Sequence, residues 1–155
     1  MNGRQRIAAA LLSLSGAGLV GIAAHEGYRD TAYDDGVGVQ TIGFGTTAGV
    51  KPGDRIEPVR ALIRLADDVK AAERGLAQCI KVPLHQHEWD AYVSWAYNVG
   101  TGAACGSTLV RLLNQGQYEA ACRQLPRWNR AGGRVLAGLT KRRAEEMQLC
   151  LEGRQ

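Results

Sequence analysis

The sequence predicts an α+β fold, with a small antiparallel sheet near the beginning of the chain and helices after it. Three observations lead to this prediction: the length, a glycine-rich stretch with period-two alternation, and apolar residues at helical spacing from residue 58 onward. The 155 residues amount to one domain and can bury a core of their own. An apolar content of 45% with 22% charged residues excludes a disordered or fibrous chain.

The first element is an uncharged run of eighteen residues, 7–24, which follows Arg4 and Arg6 and precedes Glu26. A membrane-spanning helix needs about 17–25 apolar residues, and the flanking arginines would keep the N-terminus in the cytoplasm. Only seven residues of the run are strongly apolar and the others are Ala, Gly or Ser, so we predict a weakly apolar N-terminal helix. A cleaved signal peptide, with Gly21 and Ala23 near the cleavage site, a permanent anchor and a reversible anchor all fit this pattern.

The remaining elements follow in order along the chain. Val37, Val39 and Thr41 alternate with other residues between glycines, which predicts a hairpin over 33–47. Pro58 suits the first position of a helix, and apolar spacing continues that helix to about Ile80. Further helices are predicted over 86–98, 107–115, 117–125 and 139–152.

Two carboxylates and a hydroxyl in the first quarter of the chain suggest chemistry. Glu26 follows the apolar helix, where partial desolvation favours the protonated form that a general acid needs. Asp35 lies in the wetter, turn-rich region and is expected to stay ionised, and the Thr41 hydroxyl could hold a water beside it. Carboxylates in contrasting environments are what glycoside hydrolysis requires. A surface glutamate and a turn-forming aspartate are the ordinary alternative.

The pattern E-x8-D-x5-T formed by Glu26, Asp35 and Thr41 resembles the phage-type lysozymes of glycoside hydrolase family 24. The resemblance extends to TIGFG at 41–45, YNVGTGA at 97–103 and PRWNRAGG with LAGLTKRR at 126–143. It implies the phage-lysozyme fold, in which a small β-hairpin lobe and a larger helical lobe are joined by a long helix. It also implies that peptidoglycan is cut between N-acetylmuramic acid and N-acetylglucosamine, with Glu26 as acid and Asp35 and Thr41 holding the attacking water.

The same resemblance carries weaker expectations for other positions. Asn98 lies where a polar residue of the family contacts glycan, although a helix cap is an equal alternative. Trp128 could stack on a sugar or fill the core. Family members often have His where this chain has Thr46, which leaves in doubt the ion pair that such a His would make. Lys141, Arg142 and Arg143 could face the anionic glycan or form a solvated helix face, and the solvated face is the expectation.

The apolar run beside Glu26 resembles the signal-anchor-release segment of some endolysins. The expected organisation is therefore a releasable segment over 1–24 and a catalytic domain over 25–155, comprising a β lobe (25–56), a connecting helix (57–80) and a helical lobe (81–155). The chain would be held at the inner membrane through residues 7–24, facing the periplasm, and would become soluble and periplasmic after release. A secreted lysozyme with a cleaved signal peptide and a lytic transglycosylase are the alternatives.

The four cysteines lie beyond the apolar run, and export favours two disulfides over four reduced thiols. Three pairings are open, and the expected packing of the late helices favours Cys122 with Cys150, which leaves Cys79 with Cys105. A zinc site at Cys79, His85 and His87 has an uncommon ligand spacing, so no metal or cofactor is expected. The net charge of +4 with scattered basic residues argues against nucleic-acid binding, and we expect a monomer.

Overall fold

The computed structural model describes residues 5–152. It contains short strands, helices and two 3₁₀ turns at Ala9–Leu11 and Leu125–Arg127. In chain order the strands and helices are β1 (Ile7–Ala8), α1 (Gly16–Glu26), β2 (Arg29–Asp34), β3 (Gln40–Gly43), α2 (Pro58–Cys79), β4 (Pro83–Leu84), α3 (Gln86–Val99), α4 (Thr101–Cys105), α5 (Thr108–Asn114), α6 (Tyr118–Cys122), β5 (Arg130–Ala131), β6 (Arg134–Val135) and α7 (Ala137–Leu151).

The chain divides into two compact units. The sheet unit is Leu19–Ala71, and the helical unit combines Met1–Gly18 with Ala72–Gln155. Helices α1 and α2 each contribute residues to both units. These elements give the α+β class that the sequence predicts. The part of the chain before α1 belongs to the helical unit.

The sheet unit contains the antiparallel pair β2 and β3, in which Tyr33 lies opposite Thr41. The predicted hairpin is confirmed, although β2 begins at Arg29, four residues earlier than expected. Gly43 lies where a side chain could not fit, because an added Cβ would come within 2.9 Å of the Ala61 Cβ. The positive φ of Gly43, 65°, likewise suits glycine.

The helical unit has an aromatic and aliphatic core. Helix α3 supplies much of it, and its N-terminus is held by the Glu88 carboxylate, which accepts a hydrogen bond from the His85 backbone N–H at 2.8 Å. Fully buried side chains of the unit include Trp89, Tyr92, Trp95, Leu84, Leu109, Leu113 and Leu125.

Two disulfides lie within the helical unit. The structure joins Cys79 to Cys105 and Cys122 to Cys150, the pairing that the sequence favours, and all four cysteines are used. The bridges span 26 and 28 residues, so each contributes about 3–4 kcal/mol in the chain-entropy model. Because Cys79 is bonded to Cys105, its sulfur is not a free thiolate for a zinc site with His85 and His87, the site that the sequence analysis discounted.

The N-terminal run differs from the continuous apolar helix that its composition predicts. Ile7–Ala8 pairs as a strand with Pro83–Leu84, a 3₁₀ turn follows, and helix begins only at Gly16. Backbone and side-chain hydrogen bonds with the helical unit favour this arrangement over a continuous helix. Among the described residues, no helix combines the length and apolar character needed to cross a membrane.

Candidate active site

Glu26 is the last residue of α1, and Gly27 ends the helix immediately after it. Gly27 has a φ of 73°, and its N–H donates to the Ala23 carbonyl at 3.0 Å. An added Cβ on Gly45, in the turn after β3, would lie 3.7 Å from Glu26 Oε2. The helix end therefore brings the half-buried Glu26 carboxylate to the β3 turn within the sheet unit.

Asp35 and Thr41 are fixed to the same residue of the hairpin, Val39. The Asp35 backbone N–H donates to the Val39 carbonyl at 3.0 Å, and the Val39 N–H donates back to Asp35 Oδ1 at 3.1 Å. The Thr41 hydroxyl donates to the same Val39 carbonyl at 3.4 Å. The hairpin turn thus holds Asp35 and Thr41 close together through one peptide unit.

The Asp35 carboxylate has a well-defined orientation although it is exposed. Its Oδ1 also accepts the Val37 N–H at 2.9 Å, so both backbone bonds fall on the same oxygen. These two backbone donors hold the Asp35 carboxylate against the turn between β2 and β3.

Thr46 stands where the family often has His, and its hydroxyl makes a hydrogen bond to a carboxylate. The side chain is 2% exposed, and its hydroxyl donates to Asp68 Oδ2 at 2.6 Å. Backbone bonds of 2.9 and 3.0 Å also join Thr46 to Ile42. Thr46 therefore anchors the turn that contains Gly45, beside Glu26.

Asn98 and Trp128 belong to the helical unit, whereas the three residues described above belong to the sheet unit. Asn98 is exposed, and its Oδ1 accepts a hydrogen bond from Arg143 Nη2 at 3.0 Å. Trp128 is half-exposed, and its ring meets the buried Trp95 ring edge-on at 5.3 Å between centroids. Both residues therefore have structural contacts, and neither is fully buried.

The expectation of a solvated face at Lys141–Arg143 is wrong for two of its three residues. Arg142 and Arg143 are buried and pair with Glu146, at 3.2 and 2.7 Å. Burial raises the pKa of Glu146 and lowers the pKa of Arg143, and in each case the opposite charge of the partner counteracts the effect of burial. The missed signal is local, because Glu146 follows the arginines at the i+3 and i+4 spacing of a helical ion pair.

The described residues contain no group of three or more His, Cys, Asp or Glu side chains able to hold a metal ion.

Comparison with known proteins shows which family the chain is similar to. The family model described as phage lysozyme matches residues 23–146. The SAR-endolysin of Pseudomonas phage phiKMV is 41% identical over 140 residues, which are 88% of this chain and 87% of that protein. The endolysin of Bacillus phage B103 is 40% identical over 146 residues, 92% of this chain, but this chain spans only 55% of that relative's length.

Solved structures show the same fold. The endolysin from Escherichia coli O157:H7 phage FAHEc1 is 35% identical with a TM-score of 0.84, covering 92% of this chain and 95% of that one. The active form of P1 phage endolysin Lyz is 30% identical with a TM-score of 0.80, covering 93% and 88%. Its secreted inactive form, 25% identical and covering 91% and 97%, has a TM-score of only 0.60. The expectation of this fold is thus confirmed.

Proposed function

The chain belongs to the phage lysozyme family, and from this premise we propose that it is an endolysin that hydrolyses peptidoglycan to lyse the host cell. The bond cut is the β-1,4 linkage between N-acetylmuramic acid and N-acetylglucosamine. The observation that carries the proposal is the placement of Glu26, Asp35 and Thr41 on one helix end and one hairpin of the sheet unit. Their spacing is also the pattern by which the chain resembles the family.

The proposed reaction uses one proton donor and one activated water. Glu26 protonates the glycosidic oxygen as the bond to the anomeric carbon breaks. A water held by Asp35 and Thr41 attacks that carbon from the opposite face, and Asp35 takes the proton that the water releases. The two backbone donors on Asp35 Oδ1 leave Oδ2 to face this water. The configuration at the anomeric carbon is inverted, because the water attacks directly.

Substitution of the acid tests this proposal. Glu26→Gln should lower the rate of wall hydrolysis by at least about a hundredfold, because it removes the general acid. The amide is close in shape, so thermal unfolding should stay near that of the wild type. Glu57→Gln, which changes an exposed carboxyl of the same unit, is the matched control and should keep full activity.

The assay is the clearing of a suspension of chloroform-treated cells, followed by mass analysis of the fragments. Hydrolysis adds one water to each cut, whereas a lytic transglycosylase would leave an anhydro end. Full activity in Glu26→Gln would remove this residue from its role, and anhydro products would replace the hydrolytic mechanism by the alternative.

We further propose that residues 7–24 hold the exported chain at the inner membrane until release. The folded structure supports this, because Leu11 is 79% and Val20 60% exposed to water. Large apolar side chains so exposed contribute little to this fold, whereas both would favour a bilayer. The greater similarity to the active form of P1 phage Lyz, with a TM-score of 0.80 against 0.60, supports assignment of the present structure to the released state.

Localisation tests the second proposal. Before the membrane potential is collapsed, the chain should fractionate with the inner membrane, exposed to the periplasm and with its original N-terminus. Afterwards it should appear as a soluble periplasmic protein of the same length. An N-terminus beyond residue 24 in a fully active protein would instead establish a cleaved signal peptide.

A further inference from the structure

Arg6 lies just before the apolar run and makes a two-pronged contact with a buried carboxylate. Its Nη2 donates to Glu88 Oε1 at 2.9 Å and its Nε to Glu88 Oε2 at 3.1 Å. The Glu88 side chain is 2% exposed. A bidentate arginine–carboxylate pair of this kind is strong and geometrically specific.

An aromatic ring completes the site around Arg6. The guanidinium carbon lies 3.6 Å from the centroid of the Tyr118 ring, and the Tyr118 hydroxyl donates to the Pro83 carbonyl at 2.9 Å. Pro83 belongs to β4, the strand that pairs with β1 directly after Arg6. The ring, the carboxylate and the strand edge therefore engage adjacent parts of one short segment.

Glu88 needs the Arg6 guanidinium in the folded chain, where the Glu88 side chain is buried. A buried carboxylate that loses its cation carries an uncompensated charge, which is strongly unfavourable. Glu88 also caps α3 through the His85 N–H, so it is fixed in place by the helix itself. The position of the Glu88 carboxylate is thus set by α3, and Arg6 supplies the opposite charge.

We infer that Glu88, Tyr118 and β4 form an intramolecular docking site for Arg6 and the strand after it, and that this site captures the N-terminal segment once it leaves the membrane. The inference rests on the proposed tethering. Arg6 then has two successive roles: in the tethered chain it is a cytoplasmic positive charge that orients the segment, and in the released chain it neutralises Glu88. Docking opposes return of the segment to the bilayer.

Substitution of Arg6 by lysine distinguishes the two proposed roles of this residue. Arg6→Lys keeps the positive charge that sets membrane orientation. It loses the two-pronged bond to Glu88 and the planar contact with Tyr118. Arg123→Lys is the matched control, since Arg123 pairs with Glu119 on the exposed surface of the same unit.

The first measurement uses the purified full chain in buffer without membranes or peptidoglycan. Amide hydrogen exchange in peptides covering residues 5–15 should be at least tenfold faster in Arg6→Lys than in the wild type and unchanged in Arg123→Lys. The effect of Arg6→Lys should be much smaller in a Glu88→Gln background. Equal exchange in the two lysine variants, or an undiminished effect with Glu88→Gln, would overturn the inference.

A second variant covers the case in which Glu88→Gln fails to fold. Tyr118→Leu keeps an apolar side chain but removes the ring, and it should accelerate exchange in residues 5–15 by a smaller factor. Exchange equal to that of the wild type would count against the docking site.

The second measurement follows the chain in cells after the membrane potential is collapsed. Arg6→Lys should anchor normally, and a smaller share of it should become soluble than of the wild type. Equal soluble shares would overturn the claim that docking opposes return. Coupling between Arg6 and Glu88 in a chain that neither tethers nor lyses would instead refute the proposed function while leaving the docking site in place.

Discussion

Gly18 and Gly16 provide a matched test of how closely the N-terminal segment packs in the folded state. An added Cβ on Gly18 would lie 2.8 Å from Asp90 Cγ and 2.7 Å from Leu14 Cδ1, whereas one on Gly16 meets no atom within 4 Å. Leu14 can move its methyl group aside. Asp90 cannot easily move, because it is 5% exposed and bonded to Ser15 N–H at 3.0 Å and Gln86 Nε2 at 2.9 Å.

The expected magnitudes follow from these contacts. Alanine in place of a helical glycine gains up to about 1 kcal/mol from propensity. At Gly18 overpacking costs about 1–3 kcal/mol, and a weakened hydrogen bond to Asp90 adds about 1.5–3 kcal/mol. The propensity gain is common to both variants, so Gly18→Ala should destabilise the folded chain by about 2.5–6 kcal/mol relative to Gly16→Ala, which is a Tm difference of roughly 5–24 °C.

Thermal unfolding of the two purified variants, followed by circular dichroism, measures this difference. Both substitutions add one methyl group to the apolar run, so they should change the tendency of the run to enter a membrane by the same amount. Cell fractionation before release should therefore give the same result for both variants. Equal melting temperatures for the two variants would show that Gly18 is not closely packed against Asp90 and would refute the reasoning.

Two further predictions concern single side chains. Leu11→Ser should weaken membrane retention, because serine is much less favourable in a bilayer, and cell fractionation measures this. It should change the Tm of the released form by under about 2 °C, because Leu11 is 79% exposed. A large fall in Tm would contradict the exposed position of Leu11 in the released form. Thr46→Val should lower the free energy of unfolding by about 1–3 kcal/mol, because it leaves Asp68 without a buried donor; urea denaturation measures this, and an unchanged midpoint would show that the bond contributes nothing.

Local signals in the sequence explain why most of the helices could be predicted. Pro58 begins α2 as expected, and the helix ends at Cys79, one residue before the predicted Ile80. Helix α7 begins at Ala137, two residues before the prediction. Helix starts and ends depend on residues close in sequence, which a single chain displays directly.

Contacts between distant residues explain what could not be predicted. The apolar run predicts a continuous helix, but Arg6 bonds to a residue 82 positions away and Ile7 pairs with Leu84. No local pattern contains those partners. Within the candidate site the spacing of Glu26, Asp35 and Thr41 could be read from the chain, whereas the role of the Val39 peptide in joining two of them required the structure.

Both cystine bridges close loops made of residues beyond position 72, and the leading segment supplies none of their sulfurs. Formation of the two disulfides therefore requires no residue of the segment 5–18. Under the proposed tethering, both disulfides can therefore form while residues 7–24 are still in the membrane. The proposed release then requires only the transfer of this segment from lipid to water, with no disulfide left to form.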